Sequence, residues 1–295
     1  MRTKLRILII ISVLLTIYIG VSLYVAHAMT SPMVKHIEIS PELISNNHRN
    51  IQFEASDGIK LKGWLFNSPS NKLVILVSGL LGNRVDTPYY TVLIAQELIA
   101  KNYNVLLYDS RAHGESEGKR IGYGSAEGGD ILGAIKFAEN QGFSSEKIGI
   151  IANSAGAIST LMVIDQLEKV GAVVLDTPAS EFAPIISDRL WKEKFVPPFF
   201  HPTIFLFNKI FFDVDLKKIR PIDKIVLVGN RRFLFLHAAK DETIPIINSQ
   251  KLLEKANPNS KLVVFPNGEH IETYKSDPDL YRKEVFGFLE ESLDK

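Results

Sequence analysis

The chain has 295 residues, which is enough for one large domain or two small ones of about 100–150 residues each. Apolar residues make up 46% of the chain and charged residues 23%, a composition that fits a packed globular protein and excludes a disordered or collagen-like chain. The formal net charge of +1 argues against nucleic acid as a partner. Cysteine is absent, which excludes disulfides, thiolate zinc ligands and cysteine nucleophiles.

The N-terminus has the pattern of a membrane-spanning helix. Residues 7–28 form an uncharged run of 22 residues, about 33 Å long as a helix and sufficient to cross a hydrocarbon core. Three cations precede this run, so we expect a cytoplasmic tip and the remaining chain outside the cytoplasm. The small-x-small triplet at 26–28 leaves an alternative, secretion after cleavage near Ala28. Because the run is longer than a usual cleaved signal, residues 1–30 are predicted to be an uncleaved signal anchor.

Residues 31–295 alternate between strand and helix patterns. Two stretches at 36–40 and 51–55 are predicted to be extended, and 59–67 follows across an Asp57-Gly58 turn, the pattern of a hairpin. Later runs are apolar on both faces, as in parallel strands covered by helices on both sides. The pattern predicts an α/β fold with a doubly wound, mostly parallel sheet. The predicted strands lie at 73–77, 105–108, 148–151, 172–175, 233–236 and 262–265, and the predicted helices at about 88–101, 125–140, 156–169, 245–255 and 278–292.

One long segment, about 179–232, contains no predicted sheet strand and is expected to be a cap insertion over one end of the sheet. Nine aromatic residues lie within 182–212, about three times what the chain average of 9% gives. Two interpretations stay open at this point. The cap either packs its own small core against the sheet, or it lines an apolar binding pocket.

Ser154 is the candidate nucleophile. It lies in Ala-Asn-Ser-Ala-Gly directly after the apolar run 148–151, and a helical pattern begins at once. A tight strand-to-helix turn with small neighbours lifts a serine hydroxyl out of a sheet, and the pattern matches G-x-S-x-G with Ala152 in the place of the first glycine. The sequence therefore predicts nucleophilic catalysis by serine, with helix capping as the plainer alternative.

A serine nucleophile needs a base and an acid that orients the base. Among the seven histidines, His270 lies on a loop after a predicted strand, in the right chain order and at the sheet edge where active sites form. Two carboxylates qualify as the acid: Asp241 after strand 233–236 and Asp176 at the end of strand 172–175. The oxyanion would be bound by backbone amides, predicted as those of Ala155 after the serine and Leu80 in the glycine-containing loop after strand 73–77.

The order Ser154, Asp241, His270 resembles the α/β-hydrolase superfamily, and five segments are similar to its serine aminopeptidase-like and prolyl-oligopeptidase-like branch. The resemblance covers about residues 50–295 outside the insertion and implies the α/β-hydrolase fold, with Asp241 as the acid. The sequence departs from the family's pattern at two positions. Ala152 stands where the family has glycine, and Ser78 stands where it often has histidine. The five segments are SGLLGNR, YDSRAHGESEG, ANSAG, HAAKDETIP and PNGEHIE.

These features predict a membrane-anchored serine hydrolase that acts on a small-molecule or lipid-like acyl substrate, foremost as a carboxylesterase for an apolar acyl group. A peptidase is the second interpretation, for which Glu181 and Asp188 are the acids able to capture a peptide amine. A non-catalytic binding protein on the same fold is the third, and acyl transfer in place of hydrolysis stays open. No cofactor and no metal is expected, because nucleotide-binding and metal-ligand patterns are absent from the sequence.

Overall fold

A computed structural model describes residues 2–32, 36–80, 82–85 and 90–294. Eight strands form one sheet in the order β1-β2-β4-β3-β5-β6-β7-β8. The pairs β1–β2 and β2–β4 are antiparallel, and every other neighbouring pair is parallel. The strands are β1 (His48–Glu54), β2 (Lys60–Phe66), β3 (Leu73–Val77), β4 (Asn104–Tyr108), β5 (Ile148–Asn153), β6 (Ala172–Asp176), β7 (Leu234–Ala238) and β8 (Lys261–Phe265).

Helices cover both faces of the sheet, as the apolar strands β3, β4 and β5 require, because their side chains are buried on both sides. One core layer includes Ile131, Leu161 and Leu252, and the other includes Leu98 and Leu289. The helices are α1 (Arg2–Thr30), α2 (Thr91–Ala100), α3 (Gly128–Asn140), α4 (Ser154–Met162), α5 (Phe182–Lys192), α6 (His201–Phe212), α7 (Pro221–Lys224), α8 (Ile247–Lys255), α9 (Thr273–Ser276), α10 (Pro278–Tyr281) and α11 (Gly287–Leu293).

The prediction of a doubly wound, mostly parallel sheet is confirmed, and three local expectations are corrected. Residues 36–40 form no strand, and the first strand, β1, begins at His48. The helix expected over 156–169 ends at Met162, where a short 3₁₀ turn follows. The helix expected over 278–292 contains a π-helical turn at Arg282–Phe286. The start of the helix expected at about 88–101 lies partly outside the described residues.

Helix α1 is long and apolar enough to cross a membrane. Its first half is exposed along its length, whereas its second half packs against the rest of the protein. Ser22, Ala26 and Thr30, spaced four residues apart on one stripe, are fully buried there. Small residues at this spacing let two helices approach closely. Helix α6 is a neighbour along this half of α1, and α5, α6 and α7 all lie within 179–232.

Candidate active site

Ser154 lies on a tight turn between β5 and α4 and has a positive φ of 45°. Such an angle is strained for a residue with a side chain and costs on the order of 1–3 kcal/mol, so the surrounding packing must hold it. Gly156 provides the close approach, since a Cβ there would lie 2.6 Å from the carbonyl oxygens of Val77 and Ser78. Ala152 is fully buried in β5, so its methyl group in the place of the usual glycine is accommodated next to the strained turn.

The structure brings Ser154, His270 and Asp241 into one hydrogen-bonded row. Ser154 Oγ lies 3.1 Å from His270 Nε2, and His270 Nδ1 lies 2.7 Å from Asp241 Oδ2. Since a carboxylate only accepts, Nδ1 carries the proton and donates it, which leaves Nε2 free to accept from the serine hydroxyl. The arrangement follows from topology, because β5, β7 and β8 are parallel strands whose carboxyl ends share one sheet edge.

Backbone amides fix the carboxylate of Asp241. Its side chain is fully buried, and Oδ1 accepts hydrogen bonds from the amides of Thr243 at 2.9 Å and Ile244 at 2.8 Å. The second oxygen, Oδ2, is left to accept from His270. Three donors on one buried carboxylate compensate for its desolvation and hold its orientation.

The alternative acid, Asp176, has different partners. It is fully buried at the end of β6, and its carboxylate accepts hydrogen bonds from the hydroxyl of Thr177 at 2.8 Å and from the hydroxyl of Thr273. Thr273 begins the short helix α9 after the His270 loop. Asp176 therefore ties that loop to the sheet, while Asp241 is the carboxylate bonded to the imidazole.

Leu80 and Ala155 line the same small cavity beside the serine turn, together with Ser78, Gly79 and Gly156. The cavity has room for about one water molecule. Ser78 stabilises the loop that carries Leu80 by donating from Oγ to the carbonyl of Asn83 at 2.9 Å. Ser78 is thus part of the loop's own hydrogen bonding.

The sequence analysis did not identify His237 and Ser249, which support the loop that carries Asp241. His237 Nε2 donates to the carbonyl of Ile244 at 2.8 Å, and its Nδ1 lies 2.7 Å from Ser249 Oγ, so the imidazole links β7 to α8 beneath the loop. Burial lowers the pKa of His237 and keeps it neutral. A histidine four residues before the acid, at the end of an apolar strand, was the signal available in the sequence.

Asp109, which follows β4, forms a buried ion pair with Arg84 at 2.6 Å and accepts from the backbone amide of Glu115. Among residues 2–32, 36–80, 82–85 and 90–294, no group of three or more histidine or acidic side chains is arranged to hold a metal ion.

No protein-family model matches the chain. The chain is 31% identical over 198 residues to the uncharacterized protein YqkD of Bacillus subtilis, a match that covers 65% of this chain and 64% of YqkD, less than two thirds of that relative. It is 24% identical over 266 residues to the alpha/beta hydrolase domain-containing protein WAV2 of Arabidopsis thaliana, covering 87% of this chain and 83% of WAV2.

Among solved structures, the esterase Pf2001 of Pyrococcus furiosus is similar, with a TM-score of 0.76 and 23% identity over 90% of this chain and 98% of the esterase. At this level of identity the likeness establishes the fold. The chain therefore has the α/β-hydrolase fold: a mostly parallel eight-stranded sheet, preceded by one apolar helix able to span a membrane.

Proposed function

We propose that this protein is a membrane-anchored serine hydrolase that cleaves carboxylic esters through an acyl-enzyme on Ser154. The observation that carries the proposal is the hydrogen-bonded row from Ser154 through His270 to Asp241. Hydroxyl, imidazole and carboxylate lie in the order that nucleophilic catalysis by serine requires. The likeness to the Pyrococcus furiosus esterase supports the same chemistry.

In this mechanism His270 Nε2 removes the proton from Ser154 Oγ as the oxygen attacks the ester carbonyl. Asp241 holds the imidazole in the correct tautomer and stabilises the imidazolium that forms. The negative oxygen of the tetrahedral intermediate accepts from the amides of Leu80 and Ala155. The imidazolium then protonates the leaving alcohol as the carbon–oxygen bond breaks. A water molecule, deprotonated by His270, then attacks the carbonyl of the acyl-enzyme. The imidazolium returns this proton to Ser154 Oγ as the ester bond breaks, which releases the acid and the free serine.

The ion pairs of the cap favour an ester over a peptide substrate. A peptidase that captures a peptide amine needs an unengaged carboxylate near the serine. The side chain of Glu181 pairs with Arg220, and that of Asp188 pairs with Lys192 at 3.0 Å. Both acids that the sequence offered for this role are therefore paired with cations of the cap itself.

We also propose that α1 remains attached and anchors the protein, with the catalytic domain outside the cytoplasm. The triplet at 26–28 lies inside the helix, and Ala26 is fully buried against the cap. Retention of the helix agrees with its uncharged length and with the cations that precede it.

Substrate screening with the full chain in detergent tests the proposal. We expect turnover of p-nitrophenyl esters to exceed that of aminoacyl p-nitroanilides and to be lost in Ser154→Ala. Ser144→Ala is a matched control, because Ser144 is an exposed serine before β5, at the opposite end of that strand. Faster cleavage of the anilides, dependent on Ser154, would favour the peptidase. No turnover of either class by folded protein would favour a non-catalytic binding protein.

A further inference from the structure

Helix α6 of the cap has an exposed face that is apolar. His201, Ile204, Phe205 and Asn208 are buried on the inner side of the helix. The outer side carries Leu206, Ile210 and Phe211, which are 49%, 60% and 59% exposed, and Phe199 just before the helix is 63% exposed. A helix that is apolar on all sides is typical of a buried or a membrane environment, and one face of α6 is uncovered by the described residues.

This outer face lies beside α1. The hydroxyl of Tyr18 lies 2.6 Å from Thr203 Oγ1 near the start of α6, and the ring of Tyr18 stacks on Phe200 at 4.8 Å. Near the ends of both helices, the rings of His27 and Phe212 are 5.7 Å apart. The two helices therefore run side by side in the same direction, and α6 accompanies the second half of α1.

Along α1, Tyr18 lies about 16 Å beyond the start of the uncharged run at residue 7, at the helical rise of about 1.5 Å per residue. A hydrocarbon core is about 30 Å thick, so α6 accompanies the part of α1 that would occupy the outer leaflet. The charged residues fit this position, because α6 carries a single one, Lys209 in its last turn. Asp213, Lys217 and Lys218 follow after the helix, on the side of the head groups.

We propose that the face of α6 from Phe199 to Phe211 is a second membrane-contact surface, with the acyl chains of the outer leaflet as its partner. The surface continues the exposed apolar surface of α1, and this inference rests on the proposed membrane anchor. Covering this surface with lipid removes several large apolar side chains from water.

The same packing connects the membrane surface to the candidate active site. Ala26 of α1 and Phe205 of α6 belong to one apolar cluster with Ile158 of α4, and Leu80 of the predicted oxyanion loop packs against that cluster. A membrane surface on α6 therefore brings the nucleophile turn close to the bilayer. The substrate class that fits is an ester whose acyl chain is dissolved in the membrane.

Tryptophan fluorescence in the full chain tests this surface. The two native tryptophans, Trp64 and Trp191, are replaced by phenylalanine, and single reporters are introduced as Phe199→Trp or Ile210→Trp. Leu227→Trp is a matched control, since Leu227 is 54% exposed and lines a cavity with residues at the amino ends of the strands. Leu14→Trp reports on the anchor itself. Each protein is reconstituted into phosphatidylcholine vesicles whose acyl chains are brominated, because bromine quenches tryptophan on contact.

We expect the Phe199→Trp and Ile210→Trp reporters to lose most of their fluorescence, as Leu14→Trp does, while Leu227→Trp stays unquenched. Quenching of Leu14→Trp without quenching on α6 would overturn this inference and leave the anchor intact. An unquenched Leu14→Trp would overturn the anchor and this inference together. Quenching of all four reporters would mean non-specific insertion and would also overturn the inference.

Discussion

The backbone of Gly79 passes so close to Asn153 that a Cβ at residue 79 would lie 2.8 Å from the side-chain oxygen of Asn153 and 3.3 Å from Cβ of Ser154. The loop after β3 is thus packed directly on the turn that presents the serine. The position of Ser154 depends on this contact as well as on its own hydrogen bond to His270.

Gly79→Ala is expected to lower kcat/KM for an ester by about 10²-fold, because displacing a nucleophile by about 1 Å costs that much. Gly229→Ala is the matched control, since a Cβ there meets no atom within 4 Å. The measurement is steady-state kinetics on both variants, with circular dichroism as the check on folding. Unchanged kinetics in a folded Gly79→Ala protein would contradict the proposed dependence of the serine on this loop.

Asp241→Asn is expected to lower kcat by about 10⁴-fold, because an amide in this place favours the wrong imidazole tautomer. Asp176→Asn should lower kcat far less, since Asp176 is bonded to threonine hydroxyls. The two variants are compared by ester hydrolysis at neutral pH, after each is shown to be folded. A larger loss in Asp176→Asn would reverse the assignment of the acid.

Burial of His237 predicts a pH dependence of stability. Its pKa is lowered from the usual 6.5, so the unfolded chain binds a proton at a higher pH than the native protein does. The unfolding free energy contributed by this group is fully present above pH 6.5 and decreases as the pH falls below it. Thermal unfolding in detergent should therefore show a shallower acid decrease of Tm in His237→Gln than in the wild type. Parallel curves would contradict this role of the buried imidazole.

Most of the fold could be predicted from the sequence, because its strands are continuous apolar runs separated by helical patterns. The prediction for 36–40 was wrong in one respect. Its alternation of apolar and polar residues is typical of a strand, but the segment pairs with no strand of the sheet, and β1 begins only at His48. The helix after Ser154 ends early, at Met162, which the local composition did not indicate.

Part of the candidate site could be predicted from the order of strands and loops along the chain. Residues that follow strands collect at one sheet edge, so Ser154 and His270 were accessible to sequence reasoning. Chain order alone left Asp241 and Asp176 open as the acid, because both follow strands on the correct side, and the resemblance of the segment HAAKDETIP favoured Asp241. The side-chain geometry separates the two, with 2.7 Å between Asp241 Oδ2 and His270 Nδ1. The contact of α1 with α6 joins segments about 180 positions apart, and no local pattern indicates it.

The most direct test of the central proposal is labelling of the purified full chain with a fluorophosphonate, followed by mass spectrometry of its peptides. An activated serine forms a covalent phosphonate ester with this probe, whereas ordinary serines do not react. We expect one adduct on Ser154 in the wild type, no adduct in Ser154→Ala and a nearly complete loss in His270→Ala. Folded wild-type protein that remains unlabelled, or that carries the adduct on a different serine, would contradict the account.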